Sequence, residues 1–278
     1  MFSASQANIF LHHIAMESSD PERLAKFYHS VMDMPVISDD GTAWRCEGSG
    51  RRIIIIPGQD KGFAYAGFTC RNSDALELMR EHLSQTDVPM FPAENPFFDN
   101  TAFAVQDPDG NRICFGVAST ENEEAGWLVG PVQHLTFASL DVEAFQKFYA
   151  GKLGFEVTDR VLHDDGSLAT CFTTANHEHH TIACFKSDRQ GVDHHSYEAG
   201  EWNYIRDWCD HFAAHDIQLM WGPGRHGPGN NLFIFIEDPD GNWIEVSAEL
   251  ETIRGRPVKE WPQSERTLNL WGKAIMRS

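Results

Sequence analysis

"LHHIAMESSDPERLAKFYHSVMDMPV" (residues 11–36) and "VQHLTFASLDVEAFQKFYAGKLGFEV" (residues 132–157) are one pattern written twice. His13 aligns with His134, Asp20 with Asp141 and Phe27-Tyr28 with Phe148-Tyr149, each at an offset of 121 residues (13 to 134, 28 to 149). Self-similarity at a fixed offset marks a repeated structural unit. A second echo joins "FAVQDPDGNRICFGVAS" (103–119) to "FIEDPDGNWIEVSAE" (235–249), where Asp107 and Asp238 open the same D-P-D-G-N turn 131 residues apart (107 to 238). Two copies of a module of about 120 residues account for most of the 278-residue chain.

Within the second copy, "PVQHLTFAS" alternates as a strand does, and Val142, Phe145, Phe148, Tyr149 and Leu153 then recur at helical spacing behind Asp141, a candidate N-cap. Strand-like runs follow at "GFEVTDRV", "LATCFTTA" and "HHTIACF", and a new strand-helix start at "VDHHSYEAGEWNYIRDWCDHFAAH". The last two strands, "NLFIFIE" and "WIEVSAE", flank the D-P-D-G-N turn, whose proline and glycine suit a tight hairpin. The order β-α-β-β-β thus occurs twice in this half alone, and the expected fold class is α+β. The modules are expected at 1–120 and 131–250, with a linker at 121–130 inside the acidic stretch "STENEEAGWLVG" and a tail at 251–278 that has no counterpart in the first copy.

The bulk numbers narrow the function. Hydrophobic residues at 41% and aromatics at 12% are enough for packed cores, which excludes a disordered chain. Forty-one acidic against 22 basic residues leave a net charge of −19 with no basic run to follow a phosphate backbone, so no nucleic-acid partner is expected. No membrane partner is expected either, since no run of eighteen apolar residues occurs and the start lacks a basic, then apolar, leader. Six cysteines without a C-x-x-C pair, several inside strand-like runs, are expected to be buried thiols of a cytoplasmic protein.

The chemistry concentrates in the second copy. "HEHHTIACFKSDRQGVDHH" (177–195) holds five of the fourteen histidines. Alternate residues of a strand share a face, so His134 lies with Thr136 and Ala138 while Leu135 and Phe137 face the helix. The same phase applied to "DHHSYEA" sends His195 with Tyr197 toward the helix and His194 the other way. In "NWIEVSAE", Ile244 and Val246 are the apolar partners, so Glu245 projects onto the opposite face, where a lone carboxylate needs a reason. Two neutral imidazoles and one carboxylate from three strands form a facial set that leaves adjacent metal positions open. The matching positions of the first copy, His13, approximately Tyr65, and Cys114, do not repeat that set.

With these residues in view, the chain resembles a two-module type I extradiol ring-cleavage dioxygenase of the vicinal oxygen chelate superfamily, which is built from βαβββ repeats. The resemblance spans roughly residues 8–250 and is densest in "QHLTF", "HEHHTIACF", "DHHSYEA", "GPGRHGPGNN" and "EDPDGNWIEV". It implies two vicinal-oxygen-chelate domains whose mixed sheets curl around a central cavity. It also implies Fe(II), or less often Mn(II), held by His134, His194 and Glu245, with O₂ as co-substrate and a small aromatic diol as substrate.

The resemblance further matches His180, placed in the "HHTIA" strand, to the family's acid-base histidine, and His226 of "GPGRH" to a histidine beside the metal shell. Trp221, Arg225 and Phe235 are expected to face the substrate. Phe235 stands where the family carries a tyrosine, and Trp221 where members that bind carboxylated catechols carry an arginine, which points to an uncharged or bulky aromatic substrate. His177, His179 and His195 are read as bystanders, the D-P-D-G-N segments as turns without chemistry, and Trp202, Trp208 and Phe212 as helix-to-sheet packing. A homo-oligomer is expected.

The implied activity is meta-cleavage of a catechol ring with O₂ to a semialdehyde-type product, in aromatic catabolism. Two competitors keep the fold: an O₂-independent metal-dependent isomerase, epimerase or transferase, and a binding protein like the bleomycin-resistance members.

Overall fold

The computed structural model describes residues 3–39, 41–93, 95–118 and 127–276. Behind a short helix α1 (Ala4–Ala7), the first half runs β1 (Phe10–Ser18), α2 (Pro21–Val31), β2 (Val36–Asp39), β3 (Trp44–Gly48) and β4 (Arg51–Pro57). It continues as β5 (Gly62–Thr69), α3 (Ser73–Ser84), β6 (Phe91–Pro92), β7 (Phe103–Gln106) and β8 (Arg112–Gly116). The second half repeats this as β9 (Val132–Ser139), α4 (Val142–Tyr149), β10 (Glu156–Leu162), β11 (Leu168–Thr174) and β12 (Ile182–Lys186). Next come β13 (Gly191–Glu198), α5 (Trp202–Ala214), β14 (Trp221–Arg225), β15 (Leu232–Glu237) and β16 (Trp243–Ala248). The β-α-β-β-β unit is therefore used four times. The tail adds β17 (Lys259–Pro262) and α6 (Glu265–Leu268). Of the expected linker, residues 121–126 lie outside the described residues.

Each half forms one mixed sheet, in the orders β2-β3-β4-β1-β5-β8-β7-β6 and β14-β15-β16-β13-β9-β12-β11-β10-β17. Two units meet antiparallel through their first strands, β1 with β5 and β9 with β13, and the last strand of each unit pairs parallel with its first. Neither sheet closes on itself: β14 and β17 remain edges of the second.

Helices cover one face. The expected N-caps are in place: Asp20 accepts from the backbone N–H of Arg23 (3.1 Å) and Asp141 from that of Ala144 (2.9 Å). Helix α4 then buries Val142, Phe145, Phe148 and Tyr149, the periodic set read from the sequence.

The two D-P-D-G-N turns are built alike. Oδ1 of Asp107 accepts from the amides of Asp109 and Asn111, and Oδ1 of Asp238 from those of Asp240 and Asn242, while Gly110 and Gly241 both sit at φ +85°. Each turn is also gripped by the other module. The hydroxyl of Tyr149 donates to Asp107 and that of Tyr28 to Asp238, both at 3.2 Å and fully buried. The residues that mark the repeat thus brace its two copies against each other. Arg51, buried at the same junction, donates to the carbonyls of Met32, Leu128 and Gly130 and lies over the Trp208 ring.

Two sequence expectations change. His180 lies in the loop ahead of β12, which begins at Ile182, rather than in the strand. Trp208 and Phe212 pack inside as expected, but Trp202 is 44% exposed: it opens α5 on its outer side, where its ring meets Trp271 of the tail edge-on. The tail packs on its own module, since β17 pairs parallel with β10 and the amide of Leu270 donates to the carbonyl of Arg225. Among the described residues no helix is long and apolar enough to cross a membrane. All six cysteines are free thiols, and five of them are buried.

Candidate metal centre and cavity

Strand register decides which side chains meet. On the uncovered face of the second sheet, His194 of β13 sits opposite Thr136 of β9, and Ser196 sits between His134 of β9 and Glu245 of β16. His134, His194 and Glu245 therefore point the same way from three adjacent strands, and all three are buried.

Nε2 of His134 lies 3.1 Å from Oε2 of Glu245, Nε2 of His194 lies 3.4 Å from the same oxygen, and the two nitrogens are 3.3 Å apart. Bonds of about 2.1 Å meeting one cation at right angles place donor atoms about 3.0 Å apart, so the spacing suits a single ion. Protonation points the same way. The Nδ1–H of His134 donates to Oε1 of Gln133, and that of His194 to Oδ1 of Asp193 at 2.6 Å. In the neutral rings both Nε2 lone pairs then face each other and a carboxylate, with no proton between them, an arrangement that a cation resolves. The donor set fits Fe(II) or Mn(II).

Burial pushes His134 below the usual histidine range despite the Glu245 carboxylate. At His194 burial pulls down too, but the bonds to Asp193 and Glu245 outweigh it and the pKa is raised. Burial would lift Glu245; its contacts with His134, His194 and His226 overcome it and hold the carboxyl well below its usual range.

These three residues form the floor of a cavity with apolar walls, Phe172, Phe185, Pro228 and Leu268, together with Thr136, Asn231, His180 and His226. Among the described residues no lysine or arginine lines it. The His180 ring lies 4.2 Å from that of His134, centroid to centroid, and burial holds its pKa well below the ordinary value. His226 is fixed by a 2.5 Å bond from Nδ1–H to the carbonyl of Leu268 and by stacking on Phe233 at 3.9 Å, which turns Nε2 toward Oε1 of Glu245 at 3.5 Å.

Trp221, Arg225 and Phe235 are brought beside this cavity but not into its lining. Trp221 stacks on Phe235 at 5.3 Å, and Phe235 in turn backs the His194 ring edge-on. Arg225 is tied to Glu249 and to the carbonyl of Asn230. The residues that support the centre were missed by sequence reasoning. Gln133 and Asp193 immediately precede the two histidines, a Q-H and D-H signal readable in the chain, and Asn231 of "GPGNN" donates to Oε1 of Glu245 at 3.2 Å.

The equivalent place in the first sheet is filled. Register sets Ala15 opposite Tyr65, and Gly67 between His13 and Cys114, so Tyr65 and Cys114 occupy the positions of His194 and Glu245. Both nitrogens of His13 are engaged, Nδ1 with His12 and Nε2 with Asn95, and Phe97 and Phe98 pack on its ring.

The family model for the Glyoxalase/Bleomycin resistance protein/Dioxygenase superfamily matches residues 10–115 and 132–246. Metapyrocatechase 2 of Cupriavidus necator is 25% identical over 246 residues, covering 78% of this chain and 74% of that protein. An iron-dependent extradiol dioxygenase of Rhodococcus jostii is 24% identical over 269 residues, covering 84% and 85%. Among solved structures, homoprotocatechuate 2,3-dioxygenase from Brevibacterium fuscum in an anaerobic complex with 3,4-dihydroxyphenylacetate superposes with a TM-score of 0.83 over 97% of this chain and 90% of that one, at 20% identity. With both sheets matched and each formed by two β-α-β-β-β units, the chain belongs to the Glyoxalase/Bleomycin resistance protein/Dioxygenase superfamily.

Proposed function

We propose that this chain is an Fe(II)-dependent extradiol dioxygenase that opens a catechol-type ring beside its two hydroxyls and incorporates both atoms of O₂ into a semialdehyde-type product. The observation that carries it is the buried set of two imidazoles and one carboxylate with donor atoms 3.1 to 3.4 Å apart at the base of an apolar cavity. Relatives named metapyrocatechase, 3-methylcatechol 2,3-dioxygenase and biphenyl-2,3-diol 1,2-dioxygenase support the reaction class.

His134, His194 and Glu245 would hold the ion. Bound Fe(II), in preference to Mn(II), supplies Lewis acidity toward the diol and redox capacity toward O₂. His180 takes the proton released by a substrate hydroxyl and returns one as the ring opens, work that a neutral imidazole in a dry pocket suits. His226, anchored at Nδ1, holds its Nε2 beside Oε1 of Glu245, the oxygen that Asn231 also bonds. Phe172, Phe185, Pro228 and Leu268 exclude water and flank the ring. With no lysine or arginine in the lining among the described residues, an uncharged aromatic diol is the substrate that fits it. Trp221 and Phe235 act on it only through the residues that they back.

In this reading the metal is held by the module at 131–250, and the module at 1–120 is a scaffold. The six free thiols fit a cytoplasmic enzyme, and exposed Ile37, Trp127 and Trp271 fit contacts in a homo-oligomer.

The test is O₂ uptake recorded together with visible absorbance on protein reconstituted with Fe(II) under anaerobic conditions. It is offered catechol, 3-alkylcatechols and 2,3-dihydroxybiphenyl, with His194→Ala as control. Uptake matched by a yellow product and absent in the variant is expected. Iron-loaded protein that consumes no O₂ with any of these diols refutes the proposal.

A further inference from the structure

We propose that the buried pair His179 and Asp159, held in place by Arg256 and Trp261 of the C-terminal tail, positions His180 and selects which of its ring nitrogens carries the proton. This rests on the reading of His180 as the proton-transferring group.

His179 is fully buried, with Nδ1 2.9 Å from Nδ1 of His180. Its Nε2 lies 3.2 Å from Oδ2 of Asp159, close though off the hydrogen-bonding line, and the Asp159 side chain is itself fully buried. Two tail residues secure that carboxylate: Nη2 of Arg256 stands 2.8 Å from Oδ1, and Nε1–H of Trp261 donates to Oδ2 at 2.7 Å. Arg256 is clamped by both oxygens of Glu251 and donates to the carbonyl of Thr158.

The order of groups sets the protons. Burial would raise the Asp159 pKa, but contacts with His179, Trp261 and Arg256 bring it below the ordinary value, so Asp159 is an anion. The ring nitrogen nearest an anion carries the proton, which leaves Nδ1 of His179 with a lone pair. Between the two Nδ1 atoms the hydrogen then belongs to His180, and the Nε2 of His180 is left as a base on the cavity side. A carboxylate thus dictates a tautomer one imidazole further away than in the usual carboxylate-histidine pair. Asp159 comes from β10 and its clamp from the tail, so a segment outside both modules contributes to the site.

The variants are His179→Phe, Asp159→Asn, Trp261→Phe, His180→Ala and the double variant His179→Phe/His180→Ala, all as iron-loaded enzyme. Bound iron per chain and the anaerobic Kd for catechol are measured beside kcat and KM. His179→Phe is expected to lower kcat about ten- to a hundredfold. Iron content, KM and anaerobic Kd should stay within about twofold, and the double variant within about twofold of His180→Ala.

Trp261→Phe, which removes one bond at a half-buried site, should lower kcat about fivefold and keeps the test decisive if Asp159→Asn does not fold. Iron content falling or anaerobic Kd rising in step with the loss of kcat, losses that multiply in the double variant, or Trp261→Phe with unchanged kcat would each overturn the inference. Full activity in His179→Phe when His180→Ala is impaired overturns it alone. Full activity in His180→Ala overturns it together with the assigned role of His180.

Discussion

Replacing Asp193 by asparagine should weaken metal binding without disturbing the fold. Oδ1 of Asp193 accepts Nδ1–H of His194 at 2.6 Å, and the two side chains are 5% and 6% exposed, so solvent does little to screen the pair. A hydrogen bond to a buried charged acceptor contributes about 1.5–3 kcal/mol. Asparagine keeps an acceptor oxygen but not the charge, so the expected loss is the lower part of that range, about 1.5–2 kcal/mol, or roughly ten- to thirtyfold in metal affinity. Gln133→Ala is the internal comparison: its bond to His134 is between neutral groups, and about 1 kcal/mol, roughly fivefold, is expected. The assay is competition of metal-free protein against a chelator for Fe(II) or Mn(II), at low and high salt, with denaturation curves as the folding control. An Asp193→Asn affinity within about twofold of wild type, or a deficit that disappears in high salt, would show that the carboxylate is not buttressing the imidazole.

Other perturbations separate scaffold from site. Tyr28→Phe and Tyr149→Phe should each cost about 2 kcal/mol of stability, read from the denaturation midpoint; a Tyr149→Phe curve that superposes on wild type would contradict the brace between modules. Burial lifts Glu178 from its ordinary 4.5 to about 7 despite bonds from Gln133 and Asn176. The folded state therefore holds that proton more tightly than the unfolded chain, so stability declines as pH rises through this interval and the penalty is complete above it. Glu178→Gln should flatten that decline in denaturation midpoints, and an unaltered slope would count against the assignment. Leu268→Ala removes part of the cavity roof and should raise kcat/KM for 2,3-dihydroxybiphenyl relative to catechol by about tenfold, whereas an unchanged ratio would take the tail out of substrate selection.

The architecture was legible because the repeat preserves both periodicity and punctuation. Asp141 before Val142, Phe145, Phe148 and Tyr149 reads directly as a capped amphipathic helix, and the glycine of D-P-D-G-N as a hairpin. The clustering of the three candidate ligands was legible for a similar reason. Strand alternation separates Glu245 from Ile244 and Val246, and His194 from His195, whose ring packs near Tyr28 in the core. Residues outside regular strands were not. His180 and His179 precede β12, so no period predicts their direction, and Asp159 beside His179 comes from β10 while the groups that hold Asp159 come from the tail. Trp221 and Arg225 sit among glycines and prolines, where backbone turns rather than alternation decide what each side chain meets. Trp202 was misjudged because the first residue of a helix has no preceding turn to fix its face.

The two sheets also explain why, among the described residues, one fold carries a single candidate metal site. Both deliver three side chains from equivalent registers to one face, so position alone does not make a metal centre. In the first sheet His13 spends both nitrogens on His12 and Asn95, Tyr65 and Cys114 offer hydroxyl and thiol groups whose pKa values burial raises, and Phe97 and Phe98 fill the space. A side chain on the facing glycine would strike the His13 ring, since a Cβ at Gly67 falls 2.0 Å from it, so the imidazole is packed into the strand rather than aimed outward. In the second sheet Ser196 takes the place of Gly67, and Gln133 and Asp193 turn one nitrogen of each histidine away from the centre so that the other converges on Glu245. In both sheets the residue immediately before the histidine engages Nδ1, so the difference between scaffold and candidate catalyst lies at Nε2, which Asn95 occupies at His13 and which converges on Glu245 at His134 and His194.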